Sequence, residues 1–297
     1  MSPDRGARGT PSRFVQNATE RARRCGFSCN VIARFIDGTS RLGDGPAFRA
    51  AARGIVSVKF TVAAGWGGLP KVLRCVTVPP GMITVGCSGF AVPATRYFKE
   101  YGFVEVQETH RAVPGPGTIR RWRREAPDGF QFALLGPREI SQESFRAGKV
   151  IETALKTLEL VQEELHAQVA IFIAAPDFTN TRPNRAALKD FLTVVKSRFA
   201  TVVFDVGAGW NPEEADELAE ETSSLAARDP LQHGVSKRGR AYYRLPGPAG
   251  HKSRYEDPAI ERLADIAKCA DHEHAHYVFT NVDMFADGRR FKRAVGL

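Results

Sequence analysis

The chain has 297 residues, of which 43% are hydrophobic and 25% charged, the ordinary composition of a globular protein. It has no apolar run of roughly 18 residues and no secretory leader pattern at its start, so we expect a soluble, cytoplasmic protein with no membrane-spanning helix. The net charge of +9 would suit a nucleic-acid partner, but residues 1–81 hold 13 basic and 4 acidic side chains, while the remainder holds 29 of each. Because the body is neutral, nucleic-acid binding is not the favoured hypothesis.

Residues 1–81 lack the sustained hydrophobic period of a helix or a sheet. Residues 55–64 are typical of one strand, but no neighbouring segment is a convincing partner for it. The breakers Pro79, Pro80 and Gly81 then precede Met82 and a clear strand. We therefore predict a poorly structured extension over residues 1–81. A start codon assigned too early, with Met82 as the natural first residue, explains it most simply, and an arginine-rich targeting peptide is the alternative.

From Met82 onward, strands and helices alternate. Short apolar runs predict eight strands, at residues 82–87, 103–107, 130–135, 168–174, 201–206, 225–228, 241–245 and 276–280. Helical spacing of apolar residues, with capping residues, predicts helices at residues 94–101, 118–124, 148–166 and 188–195, after Asn211 and Asp257, and at 285–295. Thr118 and Asp257 are expected to help start their helices.

Eight short strands separated by helices are typical of an α/β fold with a parallel sheet covered by helices. Residues 82–297 suit a small closed (β/α) barrel of the TIM type, a fold that usually takes about 250 residues. A doubly wound open sheet is the alternative. No Gly-x-Gly-x-x-Gly motif follows the first strand, so the usual dinucleotide site is not expected, and no other cofactor is indicated.

Several short motifs, each weak alone, occur in one order through this region. The early ones are Gly86-Cys87-Ser88-Gly89-Phe90, Val104-Glu105-Val106-Gln107 with Thr109, Thr118 with Trp122, and Ala126-Pro127-Asp128-Gly129-Phe130-Gln131-Phe132. The later ones are Asp229-Pro230, Tyr243-Arg244-Leu245, Arg254-Tyr255, and Phe279-Thr280-Asn281 with Met284 and Asp287. Together they resemble the YecE-like family, domain of unknown function 72, over essentially all of residues 82–297. The resemblance implies a fold and a site, and it brings no substrate.

The chain departs from the family pattern near the implied site. Leu135 stands where relatives usually have lysine, Gly207 where they have arginine, and Pro246 where they have histidine. His110-Arg111 replaces Phe-Tyr, and Thr280-Asn281 replaces Asn-Asn. Two fixed positive charges are thereby lost from the implied site, so if the family binds an anionic group there, we expect this member to bind it poorly.

In such barrels the active site lies at the C-terminal ends of the strands. The catalytic candidates there are Glu105, Asp205 and Arg244, and the ligand-binding candidates are Ser88, Gln107, Asp229, Tyr255 and Asn281. Such groups in a concave mouth can perform acid–base chemistry or hold a hydroxylated ligand. Alternatively, Glu105 and Arg244 form an internal ion pair that helps to close the barrel. Ser88 is not expected to be a nucleophile, because no histidine is placed to activate it.

Two further clusters carry residue types associated with chemistry. Residues 269–276 contain Cys269, His272, His274 and His276, whose types bind zinc or nickel. They connect a helix to the next strand, so we expect a solvated loop at the bottom of the barrel and no metal site. Four arginines surround Trp122 at residues 120–124, and we expect Trp122 to anchor a helix whose arginines face water.

Two hypotheses about function remain open. The first is an enzyme acting on a sugar-like or phosphorylated small molecule, by analogy with sugar-isomerase-like barrels rather than from a motif. The second is a non-catalytic binding or scaffold protein with a degenerate pocket, which Leu135, Gly207 and Pro246 favour. Both have an unidentified small molecule as the expected partner.

Overall fold

A computed structural model describes residues 81–297 in full, and the backbone of residues 57–61 and 74–78 before them. The chain divides into two units between Pro80 and Gly81. The expectations for residues 1–81 as a whole (poor order, a late natural start or a targeting role) lie outside the described residues.

The two strands before Pro80 form a small antiparallel sheet. Strand β1 (Ser57–Thr61) pairs with β2 (Arg74–Val78), in a register that joins Ser57 to Val78. The expectation that the first of them has no partner is therefore wrong. A single five-residue run such as Arg74–Val78, without periodic neighbours, is a weak signal in a sequence, because strand formation depends on the partner across the sheet.

The other eight strands close into a parallel barrel, with β10 between β3 and β9. The strands are β3 (Met82–Ser88), β4 (Phe103–Val106), β5 (Gln131–Leu135), β6 (Val169–Ile173), β7 (Thr201–Asp205), β8 (Leu225–Arg228), β9 (Arg240–Leu245) and β10 (His274–Phe279). The eight-stranded (β/α) barrel expected from the sequence is confirmed, and the open doubly wound sheet is excluded.

Helices connect the strands along the outside. They are α1 (Ala94–Tyr97), α2 (Glu108–Arg111), α3 (Pro116–Glu125), α4 (Arg138–Gln142), α5 (Lys149–Leu165), α6 (Arg182–Val195), α7 (Pro212–Glu221), α8 (Pro230–His233), α9 (Asp257–Cys269) and α10 (Met284–Val295). In the described part of the chain, no helix is both long enough and apolar enough to cross a membrane.

Helix starts follow the capping residues only in part. Asn211 caps α7, and Glu214 reaches back to the Asn211 amide, which completes a capping box. Thr118 does not cap α3 as expected, because the helix already begins at Pro116, a residue favoured in a first turn. Glu256, not Asp257, is the N-cap of α9, and its side chain makes no capping bond.

Two apolar cores hold the barrel together. One lies between the strands and the helices, where the outward residues of the strands meet the apolar faces of α5, α6, α9 and α10. The other fills the barrel itself and contains Phe103, Ile171, Val203, Tyr242 and Val278 among its members. Side chains alternate along a strand, so residues two positions apart point to the same side. Glu105 comes two residues after Phe103, and Arg244 two residues after Tyr242, so both also point into the barrel.

Tyr97 joins β3 to β4 where the two strands share only two residue pairs. Its hydroxyl accepts from the Cys87 amide at 2.8 Å and donates to the Phe103 carbonyl at 2.8 Å. It thereby bridges the backbones of β3 and β4 next to the two paired positions. The interior side of this junction requires Gly86, because a Cβ there would lie 2.5 Å from the Phe103 side chain. The remaining pairing places Ser88 directly beside Glu105.

Candidate functional site

Glu105 lies inside the C-terminal mouth of the barrel and is fully buried. Its Oε1 accepts from the Ser88 hydroxyl at 2.6 Å and from Arg244 Nη2 at 2.8 Å. Its Oε2 accepts from the Tyr242 hydroxyl at 3.0 Å and from Arg244 Nε at 3.3 Å. A buried carboxylate is tolerated only when it is paired in this way, and four donors satisfy it completely.

Arg244 extends the network to Asp205. Its Nη1 donates to Asp205 Oδ2 at 2.9 Å, while Asp205 Oδ1 accepts from the Gly207 amide at 3.0 Å. The structure therefore contains the internal ion pair of Glu105 and Arg244 that the sequence offered as one interpretation, and Asp205 extends it at this face. The three members differ in access: the Glu105 side chain is 0% exposed, that of Arg244 11% and that of Asp205 19%. Only Arg244 and Asp205 are therefore within reach of a ligand.

The environment fixes the protonation of this network. Burial alone would lower the pKa of Arg244, but the carboxylates of Glu105 and Asp205 outweigh it and raise that pKa above its usual value. Burial, with the Glu105 charge as the next cause, raises the pKa of Tyr242 well above its usual value. Tyr242 therefore remains a protonated donor to Glu105, and Arg244 remains a cation.

A cavity of about 270 Å³ opens beside this network. Its polar lining comes from the ends of β7, β8 and β9, from the segments that follow them, and from the residue after β10: Asp205, Arg228, Asp229, Gln232, His233, Arg244, His251 and Thr280. Its apolar lining includes Val206, Ala227, Trp210 and Pro246. We refer to it below as the β7–β9 cavity.

Asp229 is a buried carboxylate at the edge of this cavity. Its Oδ1 accepts from the Leu231 amide at 2.9 Å, which caps α8, and its Oδ2 accepts from Gln232 Nε2 at 3.1 Å. Burial raises its pKa, and the Leu231 amide opposes that shift. Asp229 therefore shapes the cavity and holds the start of α8 in place.

His251 reaches the cavity from the segment after β9. Its Nδ1 lies 2.9 Å from the Thr280 carbonyl oxygen, an atom that only accepts, so Nδ1 carries the proton. In the neutral ring, Nε2 is then an acceptor. The same segment is held by the Val282 amide, which donates to the His251 carbonyl at 2.7 Å.

Trp210 and Arg228 form the far wall of the cavity. The Trp210 indole is buried, donates to the Phe178 carbonyl at 3.1 Å and stacks on the Phe178 ring. Arg228 pairs with Asp216 and donates to the Pro212 carbonyl at 3.3 Å. Both guanidinium groups of the cavity, Arg228 and Arg244, are thus committed to carboxylates.

Four ligand-binding candidates lie outside this lining. Ser88 is buried and serves Glu105, and Gln107 is exposed and packs on Gly89. Asn281 is buried and donates to Asp287 Oδ2 at 2.8 Å and to the Ser253 carbonyl at 3.0 Å. Tyr255 is buried, and its hydroxyl accepts from the Gly247 amide at 2.9 Å. In this geometry the last two hold the loop after β9 against α10.

The departures from the family pattern do fall at this face. Gly207 and Pro246 line the β7–β9 cavity, and Leu135 belongs to the core inside the barrel. The sequence missed Trp210, Arg228, His233 and His251 as lining residues. Two of the four were next to a recognised signal, since Asp229-Pro230 directly follows Arg228 and the helix cap Asn211 directly follows Trp210.

The histidine-rich run does lie at the N-terminal end of β10, but it is not a solvated loop. His276 is buried inside the barrel, with its ring stacked on Tyr242, and His272 is buried, with Nε2 2.7 Å from the Tyr243 hydroxyl. The prediction failed because β10 begins at His274, two residues before the predicted strand, and alternation turns both His274 and His276 inward. Across residues 81–297, no group of three or more His, Cys, Asp or Glu side chains is arranged to hold a metal ion.

The arginine run has the predicted arrangement. Trp122 is buried and packs on Phe90, while Arg120, Arg121 and Arg124 are exposed. Arg123 lies over the Phe132 ring, with 5.6 Å from its guanidinium carbon to the ring centroid.

Known structures share this architecture. A DUF72 family protein from Thermotoga maritima is 17% identical, with a TM-score of 0.58 over 73% of this chain and 100% of the other. A DUF72 family protein from Enterococcus faecalis is 15% identical, with a TM-score of 0.56 over 73% and 98%. A xylose isomerase domain containing protein from Salmonella typhimurium is 10% identical, with a TM-score of 0.52 over 74% and 98%. At these identities the likeness shows a common barrel fold.

No protein with a curated description matches the sequence. A family model described as "Protein of unknown function DUF72" matches residues 94–296, which is most of the barrel and more than half of the chain. The chain therefore belongs to the DUF72 family, as the order of its motifs indicates.

Proposed function

We propose that the β7–β9 cavity binds a small, neutral, hydroxylated molecule of the sugar class. The observation that carries this proposal is the charge state of the lining. Arg244 is shared by Glu105 and Asp205, and Arg228 is paired with Asp216. An anionic ligand would have to compete with these carboxylates, whereas a neutral hydroxyl can bond to the lining without breaking an ion pair.

The lining offers the mixed donors and acceptors that hydroxyl groups need. Asp205 is an acceptor, His251 Nε2 is an acceptor in its neutral form, and Gln232 and Thr280 can serve as either. Val206, Trp210 and Pro246 provide an apolar wall beside them. A volume of about 270 Å³ is slightly below the roughly 300 Å³ at which drug-sized pockets begin, which suits a small ligand.

Chemistry on this ligand would rest on Asp205 and His251 rather than on Glu105. Both Glu105 oxygens are occupied by donors and the side chain is fully buried, so it can neither touch a ligand nor exchange a proton with it. Asp205 and His251 line the cavity and are within reach. The Salmonella neighbour carries the words xylose isomerase in its name, but a shared fold by itself assigns no reaction.

The saturation of Glu105 also favours a second function, binding without turnover. With this carboxylate committed, and with Gly207 and Pro246 in place of the charged residues expected from the family pattern, the cavity would act as a receptor for the same ligand class. The two functions differ in one observable: only an enzyme converts a bound sugar, so the proton NMR spectrum of the sugar changes with time only in the first case.

The test is a titration of the full chain with D-fructose, D-xylose and myo-inositol, followed by methyl NMR of the alanines that line the cavity, Ala208, Ala215 and Ala227. Saturable shifts of these methyl groups support the proposal. Asp205→Asn should weaken them, whereas Asp265→Asn, at an exposed position on α9, should not. Saturable binding that leaves all three methyl groups unshifted would contradict it.

A further inference from the structure

The N-terminal mouth of the barrel holds a second polar cluster, at the end opposite the β7–β9 cavity. Since Tyr242 and Val278 point into the barrel, alternation also turns Arg240, His274 and His276 inward. Arg240 and His274 are register partners on β9 and β10. Thr84 Oγ1 lies 2.9 Å from His274 Nε2, which brings β3 into the same cluster.

The cluster is basic, and within residues 81–297 no carboxylate pairs with its guanidinium. The Arg240 Nη2 donates to the Thr201 hydroxyl at 3.0 Å, and no ion pair joins Arg240 to an acidic residue of this range. Glu273 is adjacent to His274 in sequence, but its carboxyl group lies beside Gly239. Arg240 is therefore a solvent-exposed cation at the mouth that no carboxylate of this range neutralises.

The two histidines add further unused hydrogen-bonding capacity. Their ring centroids lie 4.2 Å apart, and His276 Nε2 is buried without a partner in the described part of the chain. Burial and then the Arg240 charge lower the pKa of His274. Burial, then His274 and Arg240, lower that of His276 to about 3. A bound anion would reverse the effect of the Arg240 charge on both rings.

We propose that Arg240, His274 and the hydroxyls of Thr84 and Thr201 form an oxyanion site that binds a phosphate group at the N-terminal mouth of the barrel. The guanidinium and hydroxyls are donors, and the His274 ring offers one N–H when neutral and two when protonated, so a tetrahedral anion with several acceptor oxygens matches them. A divalent cation does not match, because Arg240 would repel it and only two imidazoles are present. Arg240 is exposed and His274 half-buried, so the ligand enters from solvent.

The experiment uses the full chain labelled with ¹⁵N in its histidine rings, titrated with inorganic phosphate against sodium chloride at matched ionic strength. Phosphate should raise the pKa of His274 and raise the thermal midpoint in a dose-dependent way. Arg240→Gln should raise the phosphate Kd about tenfold or more, the loss of one charge-assisted contact. Lys237→Gln removes an exposed charge just before β9 and should leave the Kd within about twofold.

A second variant and a second ligand keep the test decisive. If Arg240→Gln does not fold, Thr84→Val is used in its place and should also weaken phosphate binding. Glycerol 3-phosphate is titrated beside inorganic phosphate: binding of either supports the site, and the tighter one tells a phosphate ester from the free ion. The absence of a phosphate effect beyond ionic strength, an unchanged Kd in Arg240→Gln, or tight zinc binding by His274 and His276 that phosphate does not affect would overturn it. None of these results bears on the sugar proposal, because that cavity is at the other end of the barrel.

Discussion

The Glu105 carboxylate and the Arg244 guanidinium form a two-pronged ion pair inside the barrel, with Nη2 2.8 Å from Oε1 and Nε 3.3 Å from Oε2. The pair joins β4 to β9 through the interior, so it ties together two strands that are separated in the barrel by β3 and β10, and it also shapes the mouth. The sequence left two interpretations of these residues open, a site and an internal ion pair. The geometry assigns Glu105 to the ion pair and leaves Arg244 shared between the pair and the cavity.

Breaking the ion pair of Glu105 and Arg244 should lower the stability of the fold. Glu105→Gln leaves Arg244 with Asp205 alone and presents an amide to donors that need an acceptor, so we expect the free energy of unfolding to fall by about 3–5 kcal/mol. Urea denaturation measures it. The control is Arg254→Gln, which removes an ion pair with Asp283 at a side chain that is 77% exposed and should cost less than about 1 kcal/mol. Equal effects of the two substitutions would contradict the account.

Asn281 should behave as a structural residue. Its amide donates to Asp287 and to the Ser253 carbonyl, so Asn281→Ala leaves a buried carboxylate oxygen and a carbonyl with fewer donors. We expect a loss of roughly 1–3 kcal/mol in the free energy of unfolding. We expect no change in the Kd for a sugar that shifts the cavity methyl groups. A lost affinity at unchanged stability would restore Asn281 as a ligand-binding residue.

Acid should destabilise the fold through His276. Burial, with His274 and Arg240, lowers its pKa from about 6.5 to about 3, so between these values the unfolded chain binds a proton that the folded protein excludes. This contribution is fully present above about pH 6.5 and is lost as the pH falls towards 3, at up to about 1.4 kcal/mol per pH unit.

The check compares urea midpoints between pH 7 and pH 4.5 in the wild type and in two variants. His276→Gln should lose stability at pH 7 but show a shallower decline in acid, since it has no proton to take up. His166→Asn, at an exposed position whose left-handed backbone Asn tolerates, should decline like the wild type. A decline in His276→Gln as steep as in the wild type would refute the assignment.

That residues 1–81 are not needed for folding remains a prediction. The charge split and Met82 indicate that residues 82–297 form the independent unit, so we expect this fragment to remain in solution and to unfold cooperatively at the same urea midpoint as the full chain. Circular dichroism at matched concentrations tests it. Loss of cooperative unfolding on truncation would show that residues before Met82 belong to the fold.

The barrel and its polar network could be predicted from the sequence for one physical reason. Side chains alternate along a strand, and polar residues at the ends of apolar strands meet at one mouth when the strands are parallel. That reasoning placed Glu105 and Arg244 together, although they are 139 residues apart in the chain. It did not require the loops to be known.

The cavity was harder to predict from the sequence because loops form its wall. Trp210 and His251 reach it through backbone contacts with Phe178 and Thr280, and no local pattern encodes such long-range partners. The error at His274 and His276 came from the strand boundary: placing the start of β10 at His276 instead of His274 assigned an inward-facing residue to a loop. Hydrophobic periodicity locates a strand but does not fix its first residue. Here a start placed two residues too late made part of an interior cluster look like a loop.

Whether the β7–β9 cavity prefers a neutral sugar is decided by two dissociation constants, for D-fructose and for fructose 6-phosphate. Calorimetry on the full chain carrying Arg240→Gln, so that the N-terminal mouth does not contribute, would supply both. Because Arg228 and Arg244 are already paired with carboxylates, we expect the neutral sugar to bind more tightly than its phosphate ester and Asp205→Asn to weaken the binding of the sugar. Tighter binding of the ester, lost in Arg244→Gln, would contradict the account and make the cavity an anion site.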